Sequence, residues 1–137
     1  MKFFNYTASF SSLAGALLLT GCASVTRIDA LPGQRNVLGE EVIETIHVEN
    51  TDWKLLCLLP IASGDPDHPN EVGCRWFRDT TCLENQMKMI NAEMKRVGAV
   101  RATEIITYEN EEDVYLLLLL RRKIHTSAVL SKTASPR

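Results

Sequence analysis

From Leu83 onward the apolar residues Leu83, Met87, Ile90, Met94 and Val97 recur at alternating intervals of 4 and 3. That spacing paints one face of a helix. Thr81-Cys82-Leu83-Glu84 has the form of a capping box, in which side chains satisfy the first backbone N–H groups. Lys95 and Arg96 fall in the last turn, where positive charge suits the helix dipole, and Gly98 suits the left-handed residue that ends a helix. A helix is therefore predicted over about 81–97. Elsewhere the pattern is that of strands. Glu41 to Val48 carries Val42, Ile43, Ile46 and Val48 and stops at Asn50-Thr51-Asp52. Trp53 to Leu59 is almost wholly apolar and stops at Pro60. Two such runs across a short Asn/Asp turn predict an antiparallel hairpin. Ala99 to Tyr108 reads as a third strand, Glu109 to Asp113 as an acidic turn, and Val114 to Arg122 as a fourth strand. Lys123 to Leu130 extends that strand or forms a short fifth. The order ββαββ defines an α+β domain, an antiparallel sheet with one amphipathic helix on one face.

Trp53 to Leu59 and Val114 to Leu120 are apolar at successive positions, so as strands they present apolar side chains on both faces. One helix covers one face, and double-sided apolar strands imply burial on both. The second cover would be the segment before the domain, the long loop of residues 62–79, curling of the sheet, or another protein. A partner or self-association through an apolar sheet face follows from the last option.

The N-terminus carries a different signal. Lys2 gives a positive start, Leu13 to Leu19 is a short apolar stretch, and no acidic residue occurs before Asp29. The stretch has signal-peptide length and falls well short of a membrane span. Leu19-Thr20-Gly21-Cys22 closes it, and this segment resembles the lipobox leaders of bacterial lipoproteins. The resemblance implies cleavage before Cys22 and acylation of its sulfur, so that the bilayer is a partner through Cys22. Ala23 follows the cysteine where aspartate is absent, which implies the periplasmic face of the outer membrane. The expected organisation is a cleaved signal peptide over 1–21, a lipidated N-terminus and tether over 22–39, one α+β domain over 40–130 and a flexible tail over 131–137.

Charge narrows the function further. The 137 residues carry 15 basic and 17 acidic side chains, and loss of Lys2 with the leader leaves 14 basic. A mildly acidic chain lacks the basic footprint of a nucleic-acid binder. After Cys22, three cysteines remain: Cys57, Cys74 and Cys82. Cys57 sits among leucines and reads as a small buried hydrophobe. Cys74 and Cys82 form the nearest pair and are the candidate disulfide of an oxidising compartment; the alternative is a reduced Cys74 with Cys82 on the helix.

Candidate chemistry is sparse. Asp65, Asp67, His68 and Glu71 crowd the 62–79 loop and give a ligand-binding or metal-binding alternative, although solvated polar loops have the same composition. His47 and His125 read as ordinary sheet histidines, since no nucleophile motif accompanies them. Arg121-Arg122-Lys123 reads as a charged strand edge. Trp76 and Phe77, set between Arg75 and Arg78, are either a partner contact or a plug that packs the loop on the open sheet face. Over residues 81–130, Gly98-Ala99 after the helix and Ser127-Ala128-Val129 are similar to small periplasmic Rcs stress-sensor lipoproteins and YbjQ-like domains, a resemblance that implies the same α+β order. The stress-sensor disulfide pattern is not visible, and its signalling role is not carried over. The expectation is a non-enzymatic envelope lipoprotein with a structural, sensory or assembly role, with no catalytic residues, cofactor or metal.

Overall fold

The longest strand, β2, spans Glu41–Leu55, and its alternation explains the architecture. Val42, Glu44, Ile46, Val48, Asn50 and Asp52 are buried at every second position, while Ile43, Thr45, His47 and Glu49 between them are half-buried. Side chains of period two place the first set on one face and the second on the other. The computed structural model describes residues 23–56, 58–71, 73–115 and 118–132, with side chains of 113–115 left out. The leader, Cys22, Cys57 and the tail beyond Lys132 lie outside the described residues.

The element order is β1 (Ser24–Asp29), β2, β3 (Leu59–Gly64), β4 (Cys74–Trp76), α1 (Leu83–Val97), β5 (Arg101–Tyr115) and β6 (Leu119–Lys132). The strands form one antiparallel six-stranded sheet in the order β4-β3-β2-β6-β5, with β1 also on β2. One edge of β2 is shared: β1 pairs with residues 44–49 and β3 with residues 52–55. The other edge runs along β6 from Glu41 opposite Lys132 to Leu55 opposite Leu119. The class is α+β as expected, but the sheet dominates and the order is not ββαββ.

Three differences account for this. Part of the expected tether is β1, and Val25 of that strand enters the core with Ala23 just before it. The expected turn at Asn50-Thr51-Asp52 lies inside β2, where the Asn50 side chain finds buried partners. Asn50 Nδ2 donates to Thr80 O at 2.8 Å and to Thr80 Oγ1 at 3.1 Å, and Thr80 Oγ1 donates to Gly64 O at 2.6 Å. A buried polar group with partners is compatible with a strand interior. The acidic run 109–113 also continues as strand, since β6 supplies opposite charge: Arg122 meets Glu109, and Arg121 meets Glu112 at 3.2 Å. Cross-strand pairs of opposite sign stabilise this registration.

The helix occupies its predicted span, but it turns differently. Gln86, Met89, Ile90 and Glu93 are its buried residues, whereas Leu83 is exposed. Met87, Met94 and Val97 pack at the rim of a core made by Val25, Ile46, Val48, Met89, Ile90, Ala128 and Leu130. The capping box is not formed: Cys82 is the N-cap without a side-chain hydrogen bond, and Thr81 Oγ1 instead donates to Asp79. Gly98 does close the helix at φ 65°, a left-handed conformation that the missing Cβ permits.

Candidate functional site: a leucine tip and a histidine face

The two doubly apolar runs do not lie across the middle of the sheet. They end it. β2 ends at Leu55 and β3 begins at Leu59, and β6 begins just after Leu118. Leu55 faces both Leu59 and Leu119, and the Leu56 N–H donates to Leu118 O at 2.8 Å, so the two hairpin ends are joined side by side. Leu55, Leu56, Leu58, Leu59 and Leu118 are all exposed there, with Leu58 at 81 %. The second sheet face therefore needs less apolar cover than the sequence implied, because the leucines project from an end.

Trp76 and Phe77 lie behind this tip. Trp76 pairs with Ala62, and the Phe77 N–H donates to Ile61 O. Counting from Leu59, the aromatics sit two to three residues, or roughly 7–10 Å, back along β3. Neither is a plug: both are exposed, Phe77 at 78 %. Leu56 and Phe77 also hold left-handed backbones, at φ 52° and 56°. Bulky residues seldom adopt that conformation, and it costs them about 1–2 kcal/mol. Two apolar side chains are thus displayed at positions where glycine would be less strained.

The loop of residues 62–79 neutralises its own carboxylates. Arg75 Nε donates to Asp65 at 2.9 Å and its guanidinium also meets Asp67, which in turn meets Lys88 on α1. His68 is 3.2 Å from Asp65. The Lys88 and Arg75 charges hold Asp67 below the usual carboxylate range. These contacts fix the loop to β4 and to the helix, and leave the Asp65–Asp67–His68 set committed to cations of the chain itself. Glu71 is exposed nearby. Cys82 carries a free thiol at the exposed helix cap, and no bridge joins it to half-buried Cys74 in this structure.

The histidines, read singly as sheet residues, come together on the face opposite the helix. His47 and Glu49 are two apart on β2, and His125 is directly opposite Glu49 on β6. His47 and His125 stack with centroids 5.5 Å apart, and Tyr108 of β5 stacks on His125 at 4.6 Å. His47 Nδ1 is 3.0 Å from Ser127 Oγ, His125 Nδ1 is 3.5 Å from Glu49 Oε2, and Lys123 Nζ is 3.0 Å from Glu49 Oε1. Burial pushes the His125 imidazole below its ordinary pKa against the pull of Glu49. Burial also works against the Glu49 carboxylate, but Lys123 outweighs it and keeps Glu49 low. The positions are too far apart in sequence, 47 and 125, for spacing alone to join them; the β2–β6 register does so.

A sheet of this order with an exposed leucine end and one covering helix defines an α+β body of mixed surface chemistry. No protein-family model, curated protein or solved structure matches the chain.

Proposed function

We propose that this chain is a membrane-anchored cell-envelope lipoprotein with a non-enzymatic structural, sensory or assembly role, held by acylated Cys22 at the periplasmic face of the outer membrane, with its leucine tip resting in the same bilayer. The observation that carries this reading is the lipobox Leu19-Thr20-Gly21-Cys22, which leads within two residues into β1. Two residues span at most about 7 Å, so an anchor at Cys22 keeps the body close to the lipid instead of on a long spacer. β1 runs from Ser24 opposite Glu49 to Asp29 opposite Glu44, so its starting end is the one nearer the tip. The anchored end and the leucines therefore favour one orientation.

The tip suits lipid chemically. It is exposed and leucine-rich, with Trp76 and Phe77 set back at the depth where aromatic residues collect at membrane interfaces. Such elements bury about 5–10 Å into the headgroup and acyl boundary. Among the described residues no helix is long and apolar enough to cross a membrane, so attachment in this reading is by anchor and tip. A single acyl chain binds only weakly, so the two or three chains that a lipobox implies make the anchor, and the tip adds a further apolar contact.

The test is metabolic labelling with a fatty-acid analogue in cells expressing the native chain and a Cys22→Ser variant. The expected result is label on the native chain only, with a mature product beginning at residue 22. Recovery of an unacylated chain that retains Met1 from the soluble fraction would overturn the reading.

A further inference from the structure

The strongest unassigned chemistry is the His47–Glu49–His125 group on the open sheet face. Each residue offers one ligand atom, and the three atoms lie within 4.8 Å of one another. We propose that this group is a binding site for a borderline divalent transition ion of the zinc type, with three protein ligands and a fourth position open to solvent. This inference stands apart from the lipoprotein reading.

The donor set fits. Two imidazoles and one carboxylate form one of the known three-ligand zinc arrangements, with Zn–N and Zn–O distances of about 2.0–2.2 Å. Those bond lengths put tetrahedral ligand atoms roughly 3.3 Å apart, so the observed spacing closes by small side-chain rotations. Imidazole favours zinc, copper or nickel over calcium or magnesium, which prefer oxygen cages.

The surroundings are arranged as a metal site's would be. The Ser127 hydroxyl at 3.0 Å from His47 Nδ1 fixes that ring and leaves Nε2 for the ion. Lys123 takes Glu49 Oε1 and leaves Oε2 on the His125 side. Hydroxyl and cation therefore play the orienting role that outer partners have around bound metals. His125 Nδ1 is buried and has no hydrogen-bond partner, an unusual state for a buried ring nitrogen and one that a metal bond would resolve. Tyr108 stacks on the same ring at an interplanar angle of 11° and restrains it from one face. Three strands thus fix the group: β2 supplies two ligands, β6 the third, and β5 the stacking ring.

The test is calorimetric titration of the full 137-residue chain, purified in detergent, with zinc chloride and separately with calcium chloride. The expected result is one zinc per chain and no heat from calcium. His47→Gln, Glu49→Gln and His125→Gln, each confirmed folded by circular dichroism, weaken zinc binding at least tenfold, while Asp67→Asn and Cys82→Ser leave it unchanged. Zinc binding that survives all three glutamine variants, or that is lost with Asp67→Asn or Cys82→Ser instead, overturns the proposal. So does the absence of zinc binding by the folded native chain. Cobalt substitution gives a second readout: intense visible bands of a four-coordinate ion in the native chain, absent from His125→Gln.

Discussion

Asp52 is a carboxylate fully enclosed on the helix side of β2, with Asp79 close by and Lys54 Nζ at 3.7 Å. Burial first, and then the Asp79 charge, push its pKa from 3.8 up to about 6. A raised carboxyl pKa means that the fold prefers the protonated form. The stability contributed by this residue is present in full below pH 4 and is lost as pH rises through 6. Two pKa units correspond to about 3 kcal/mol. Asp52→Asn keeps the shape of the neutral acid. It is expected to raise stability at pH 7 by about 1–3 kcal/mol, and to flatten the dependence between pH 4 and 6 in urea denaturation. Unchanged stability at pH 7 with the native slope retained would show that water reaches this carboxylate. The same stretch illustrates what a sequence hides: Asn50-Thr51-Asp52 has turn composition, and only the buried bonds of Asn50 to Thr80, before α1, reveal how a strand accommodates it.

At the scale of elements, β1 and α1 are tied through ions that the apolar pattern does not announce. Arg27 grips Glu93 with two bonds of 2.8 and 2.9 Å, and Arg96 reaches both Glu93 at 2.6 Å and Glu44 at 2.5 Å. The Arg27 hydrogen bond leads the contacts that hold Glu93 below the usual carboxylate range. Glu93 and Glu44 are almost wholly buried, while both arginines are partly open to solvent. Glu93→Ala removes the hub and leaves two guanidiniums crowded together. A loss of about 2 kcal/mol is expected, less than for a fully enclosed pair because water can still reach the arginines. Amide exchange should accelerate first in residues 24–28, which Glu93 anchors. Uniform acceleration across the sheet would place the hub elsewhere. This network also explains the rotated helix. The period of 3.6 was legible, but Gln86 and Glu93 face the core as partnered polar residues, so the apolar stripe marked the rim instead of its centre. The two long hairpins were legible only as apolar runs. The breaks between their strands fall inside those runs, after Leu55 and before Leu119, where the sequence has no glycine or asparagine to announce a turn.

For the whole molecule, the question is whether the leucine end is a foot on lipid or a face for another protein, and stability and binding move oppositely there. The chain of residues 22–137 bearing Cys22→Ser keeps every described residue and removes the acyl anchor, so flotation with phosphatidylethanolamine–phosphatidylglycerol vesicles reads the tip alone. Full burial of a leucine or phenylalanine is worth about 1.5–3 kcal/mol, and partial insertion roughly half of that. Leu58→Asp and Phe77→Asp should each lower vesicle binding about fivefold or more, since 1.4 kcal/mol is a factor of ten. Leu56→Gly should weaken binding while raising thermal stability by about 1 kcal/mol, because glycine relieves the left-handed backbone at φ 52°. A purely structural tip would lose stability in all three variants, and a protein interface would appear as concentration-dependent sedimentation with no flotation. Membrane contact requires the split: an end that is more stable without its leucine, and less able to hold the bilayer.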